Sequence, residues 1–203
     1  MLGYWNKSVY ITYFGAFAAV CGLLLSFKTG NVDYSFVGMI TAMVCDMFDG
    51  KVARSIKGRT DKEKEFGVQI DSLADVICFI TVPSITLYLC GLKENYQIII
   101  LALYVVCGII RLGYFNVAMS DKDKAIKTYS GLPVPVSVAV FGTVWLIGKI
   151  IEFNPVIVYT ILVPVVGFLH ISKIKIKKIT GNWFYIMVTL VAILAIILGI
   201  FVL

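Results

Sequence analysis

Seven stretches of this chain are long and apolar enough to cross the hydrocarbon core of a bilayer, which takes about twenty residues of helix. They lie near 8–27, 34–54, 66–90, 96–118, 132–152, 155–172 and 183–203, joined by short polar segments. Backbone groups at that depth must be satisfied within their own segment, so each run is expected to be a helix. Only 15% of the residues are charged, against roughly a quarter in soluble domains. The mean hydropathy is +0.93. The expected fold is therefore all-α: an integral membrane protein built as a bundle of about seven transmembrane helices. The N-terminus, Met1 to Lys7, lacks the basic segment and small-residue cleavage site of a removable signal, so the first run is expected to remain as a span. Cys21, Cys45, Cys78, Cys90 and Cys107 all fall in or beside apolar runs, without metal-type spacing, and read as small core residues.

The net charge of +6 would suit an anionic partner such as nucleic acid, but the basic residues are sorted by loop, which membrane topology explains better. Lys7, the cluster from Lys51 to Lys64, then Lys122, Lys124 and Lys127, and the run Lys173 to Lys178 fall on one side; the other has only Lys28, Lys93 and Lys149. The positive-inside rule puts the N-terminus and the basic loops in the cytoplasm. The expected location is the cytoplasmic membrane, multi-pass, with no nucleic-acid partner. Lys173-Ile-Lys-Ile-Lys-Lys178 reads as an anchor at the headgroups, and Trp183 to Leu203, which has no charged residue, as a lipid-facing appendage.

Against this apolar background stand four carboxylates. Asp46 and Asp49 are three residues apart, and Asp71 and Asp75 four apart, so each pair projects from one face of its helix. The polar segment between them, Ser55 to Glu65, lets the two helices run antiparallel and bring all four acids together near the cytoplasmic end. So many negative charges need cations, and a pure carboxylate donor set favours Mg²⁺ or Mn²⁺, with Ca²⁺ also compatible. Two such ions could clamp a diphosphate, which describes phosphoryl or phosphatidyl transfer. Gly50, Ala53 and Gly67 clear space beside the acids, either as helix-packing notches or as a seat for a nucleotide, with Arg54 offering a fork to phosphate.

The order Asp46-x-x-Asp49-Gly50-x-x-Ala53-Arg54, then Gly67-x-x-x-Asp71-x-x-x-Asp75, resembles the signature of the CDP-alcohol phosphatidyltransferases at eight fixed positions. The twelve residues between Arg54 and Gly67 are a longer link than in many members. Asp71-Ser-Leu-Ala-Asp75, Arg111-Leu-Gly-Tyr-Phe-Asn116, Tyr129-Ser-Gly-Leu-Pro-Val-Pro135 and Phe168-Leu-His-Ile-Ser-Lys-Ile174 are similar to the membrane-type phosphatidylserine synthases of bacteria and archaea. The resemblance, over roughly 35–178, implies transfer of a phosphatidyl group from CDP-diacylglycerol, or CDP-archaeol, to L-serine with release of CMP. It further implies that Asp46, Asp49, Asp71 and Asp75 hold two divalent cations, that Asp49, Gly50, Ala53, Arg54 and Gly67 line the CDP-lipid site, and that Asp75 takes the proton from the serine hydroxyl. Tight metal ligation would lower the basicity of Asp75, so both roles require its metal contact to be weak. The expected division is 1–178 as a six-helix catalytic membrane domain and 179–203 as an additional transmembrane helix; a homodimer is compatible with it.

Arg111 is the one basic residue deep within a span, and it needs an anion, either an aspartate or a substrate phosphate or carboxylate. Arg111, Asn116, Lys127 and Ser130 are the candidates for the acceptor site. His170 at a span end reads as a headgroup-level residue, and Pro133, Pro135 and Pro164 as helix starts or kinks. Two rivals stand beside this reading: the same chemistry with glycerol 3-phosphate or an inositol phosphate as acceptor, which would need a denser basic pocket, and a cation transporter, since intramembrane carboxylates also mark ion paths.

Overall fold

The structure is a computed structural model and describes residues 3–120, 128–177 and 193. Helices α1 (Lys7–Thr29), α2 (Asp33–Ser55), α3 (Asp61–Asp75), α4 (Val82–Leu89), α5 (Asn95–Ser120), α6 (Val134–Ile150) and α7 (Val156–Ile171) follow in order. A π-helical turn, Val76–Thr81, joins α3 to α4 without a break, so these elements form six rods that match the first six predicted spans. The predicted seventh span, 183–203, and the proposed boundary at 178/179 lie outside the described residues. By length and composition Lys7–Thr29, Asp61–Leu89 and Asn95–Ala118 are each able to cross a membrane, and Val134–Ile150 and Val156–Ile171 are shorter apolar helices. Phe14, Phe17, Leu24, Leu103, Ile157, Ile161 and Phe168 are all more than half exposed on the outer faces, the surface of a helical membrane protein.

Packing of α1 on α2 explains why the acids of α2 are held rigidly. A Cβ on Gly22 would meet the Cα of Gly38 at 3.1 Å, and one on Gly15 the Cα of Ala42 at 3.3 Å, so this seam of small residues lets the backbones touch. At the far end of α2, the fully buried Asp33 accepts a 2.6 Å hydrogen bond from Trp145 Nε1 and pairs with Lys149 Nζ, tying α2 to α6.

The π turn has a local cause. Pro83 carries no amide hydrogen and its ring displaces the carbonyl of the residue four before it, Phe79. That freed oxygen accepts the hydroxyl of Tyr104 at 2.8 Å, and Tyr104 also bonds Ser137 at 2.9 Å. The lost helical bond thus becomes a buried link between the third rod, α5 and α6, directly beyond Asp75.

Two expectations change. The link between the acidic helices is shorter than Ser55 to Glu65, because α3 begins at Asp61: Thr60 Oγ1 accepts from Glu63 N at 3.3 Å and Glu63 Oε2 accepts from Thr60 N at 2.8 Å, a reciprocal cap that starts the helix inside the charged stretch. The fold also includes one small ribbon. Strand β1 (Thr128–Ser130) pairs antiparallel with β2 (Lys175–Lys177), Ser130 opposite Lys175, so the Lys-Ile-Lys alternation is a strand edge as well as a basic segment. Next to it Gly131, at φ +76°, donates from its N–H to Ile174 O at 2.9 Å, and a Cβ there would strike the carbonyl of His170.

Candidate active site

Helices α2 and α3 both pack on α1, and one carboxylate oxygen each from Asp46, Asp49 and Asp71 comes within 4.8 Å of one another. Asp49 is buried and is fixed from α1, where Thr12 Oγ1 donates to its Oδ2 at 2.5 Å. Three like charges so close in a poorly solvated site repel strongly, and an all-oxygen donor set of this kind fits a hard divalent cation. Asp75 stands outside that trio. It shares a tight cavity with Thr12, Asp46, Asp49 and Asp71, and a larger chamber with Asp46 and Asp71.

Two spaces open from the trio. On one side lies a cleft of about 140 Å³, with Asp49 and Asp71 at one end and Gly50, Ala53 and Gly67 along its wall; Ser8, Val9 and Thr12 of α1 and Arg59 and Lys64 complete it. On the other side lies a chamber of about 210 Å³ in which Asp46, Asp71 and Asp75 face Arg111, with Phe115 and Pro133 to Pro135 around them. Arg111 is 5% exposed; its Nε donates to Leu132 O at 3.3 Å and its guanidinium sits 5.2 Å from the ring centroid of Phe115. A third cavity of about 350 Å³ lies on the α5–α7 side, where Arg111, Ser130, His170, Lys173 and Lys175 are among its lining residues.

Most of the residues singled out in the sequence meet at these spaces, with exceptions. Arg54 is exposed, its guanidinium beside Gly50, while the wall near Gly67 is completed by Arg59 instead. Asn116 Nδ2 donates to Ser72 Oγ at 2.9 Å, bracing α5 against α3. Ser130 borders the third cavity and not the aspartate chamber, and Lys127 lies outside the described residues. His170, at the end of α7, is 1% exposed, and its Nδ1 bonds Leu132 O at 2.9 Å, which pins the segment entering α6. Sequence reasoning missed Thr12, Ser72 and Arg59. Thr12 and Asp49 are 37 positions apart, and no local spacing connects them.

The fold and site define a helical membrane protein with a carboxylate cluster between a glycine-lined cleft and an arginine-bearing chamber. The model of the family described as CDP-alcohol phosphatidyltransferase matches residues 5–172, and the chain belongs to that family. It is 32% identical over 172 residues to archaetidylserine synthase of Methanothermobacter thermautotrophicus, covering 84% of this chain and 69% of that protein. It is 31% identical over 160 residues to CDP-diacylglycerol–serine O-phosphatidyltransferase of Bacillus subtilis, covering 77% of this chain and 82% of that protein. The Saccharomyces cerevisiae protein of the same name is 29% identical over 169 residues, covering 71% of this chain and 60% of that protein.

Proposed function

We propose that this protein transfers a phosphatidyl or archaetidyl group from a CDP-linked lipid to the hydroxyl of L-serine, forming the serine phospholipid and CMP. The observation that carries the reading is the placement of the Asp46–Asp49–Asp71 trio between two spaces of different chemistry. The glycine-lined cleft takes the nucleotide, with Asp49, Gly50, Ala53 and Gly67 along it. The chamber takes the acceptor, its Arg111 guanidinium suited to a carboxylate and its aspartates to an ammonium group. Relatives named for serine transfer support serine over a phosphorylated alcohol.

Asp46, Asp49 and Asp71 would hold divalent cations, Mg²⁺ or Mn²⁺, with Asp75 as a weaker fourth ligand. When bound, these ions neutralise the diphosphate and the charge that develops on the leaving nucleotide. The rest falls to the chain. Thr12 fixes Asp49, and the α1–α2 seam fixes α2. Asp75, set apart from the trio, accepts the hydroxyl proton of serine. The serine oxygen then attacks the phosphorus that bears the lipid, the bond from that phosphorus to the bridging oxygen breaks, and CMP leaves into the cleft. Arg111 orients the acceptor, and the apolar walls of Phe115, Pro133 and Val134 exclude water that would otherwise hydrolyse the donor.

The basic turn between α2 and α3 and the basic β2 segment support a cytoplasmic position for this site, by the positive-inside rule. The test is CMP release from CDP-diacylglycerol and CDP-archaeol by the purified protein with added Mg²⁺ or Mn²⁺ and a panel of alcohols. Stimulation by serine is expected. No stimulation by serine, with stimulation by glycerol 3-phosphate or an inositol phosphate, overturns the choice of acceptor.

A further inference from the structure

Arg59 occupies none of the motif positions, yet its guanidinium forms part of the wall of the glycine-lined cleft. It lies against Gly67, where an added Cβ would meet Nη2 at 3.0 Å. Nη1 donates to Ala53 O and Nη2 to Glu63 O, both at 3.2 Å. Bonds from N–H to oxygen run from about 2.7 to 3.2 Å, so both contacts lie at the long end and neither carbonyl is an ionised partner. Its Nε–H is buried and has no hydrogen-bond partner among the described residues, an arrangement that disfavours the side chain's resting position. A cationic, donor-rich group is thus loosely held at the cleft with one donor unused.

Its place along the cleft says which part of a nucleotide it meets. Asp49 and Asp71 close one end, Ala53 and Gly67 each lie one helical turn further toward the same end of the bundle, and Arg59 lies over Gly67. A diphosphate held at the carboxylates directs the base toward Arg59. Cytosine presents two adjacent acceptors, O2 and N3, which match the parallel donors of a guanidinium; uracil presents a donor at N3 and mismatches it. We propose that Arg59 is a specificity-determining residue for the base of the donor, exchanging its two backbone carbonyls for O2 and N3 of cytosine and so selecting cytidine over uridine. The inference rests on the reading of the donor as a CDP-linked lipid.

The test is competitive inhibition of CDP-lipid turnover by CMP and by UMP, on the full chain, in wild type, Arg59→Ala and Arg59→Lys. Wild type is expected to bind CMP at least about tenfold more tightly than UMP, the discrimination that one bidentate contact to a base supports. Arg59→Ala is expected to weaken CMP by about that factor, to leave UMP nearly unchanged and to raise the donor KM more than it alters kcat. Lysine, which lacks the fork, should not restore the CMP preference. A CMP to UMP ratio in Arg59→Ala equal to that of wild type, or a loss of both nucleotides alike with a lowered Tm, overturns the inference and assigns Arg59 to bracing the turn. Absence of CMP release from CDP-lipid by wild type overturns the donor reading itself.

Discussion

Asp71 and Asp75 sit four residues apart on one helix face, yet only Asp71 belongs to the trio whose oxygens lie within 4.8 Å. That difference separates their expected phenotypes. Asp71→Asn should abolish turnover and raise the divalent-ion concentration needed for half-maximal CMP binding, while circular dichroism and Tm show a folded protein. Asp75→Asn should lower kcat by about 10²–10⁴, the usual scale of a general base, while the metal requirement and CMP inhibition stay close to wild type. Equal loss of metal affinity in both variants would contradict the division of roles, and full activity in Asp71→Asn would refute the metal clamp. Thr12 acts one step further out. Its 2.5 Å bond to Asp49 Oδ2 is a hydrogen bond to a charged group, for which about 1.5–3 kcal/mol is typical. Thr12→Val should therefore shift the metal titration upward by about tenfold or more, and Thr12→Ser, which keeps the hydroxyl, should restore it. A Thr12→Val titration identical to that of wild type would show that the Thr12 bond does not position Asp49 for the metal.

At the scale of elements, the site depends on how closely α1 lies on α2, because Thr12 and Asp49 come from different helices. Gly38 lies at a close approach of that seam, where a Cβ would meet Ala18 O at 2.5 Å and the Cα of Gly22 at 3.2 Å. Gly38→Val should push the helices apart at a cost of about 1–3 kcal/mol, read as a lowered Tm in detergent together with reduced activity. Gly113→Val in α5, where an added Cβ meets nothing within 4 Å, is the matching control and should leave Tm unchanged. The six rods were legible in the sequence because span length and hydropathy are local properties. The aspartates were legible for a related reason, since a spacing of three or four fixes a helix face without knowledge of the fold. The start of α3 was missed because its charged first turns masked a capping box that was nevertheless written there as Thr60-x-x-Glu63. The β1–β2 ribbon, the bond from Thr12 to Asp49 and the seat of Arg59 against Gly67 were not legible, because each is a tertiary pairing between segments whose own patterns do not name a partner.

For the whole molecule, the two ends of the bundle do different work. One end is closed by apolar packing around the buried Asp33, with Trp145 and Lys149 satisfying its carboxylate. The other end carries the acidic trio, the cleft, the chamber and the basic turn and ribbon, so under the proposed function every water-soluble reactant and product enters and leaves on one side. Such an arrangement is useful only if that side faces the compartment that supplies serine and receives CMP. Under the proposed function that compartment is the cytoplasm, the side to which the positive-inside rule assigns the loops rich in lysine and arginine. Lys57 and Lys62 in and just after the α2–α3 turn are exposed and mark this face for a protease. In sealed inside-out vesicles, trypsin should cut at this turn and abolish CMP release, and bound CDP-lipid analogue should slow the cut because the same turn carries Arg59. In sealed right-side-out vesicles the turn should be untouched until detergent is added. Cleavage only in right-side-out vesicles would invert the topology and put the active site outside the cell.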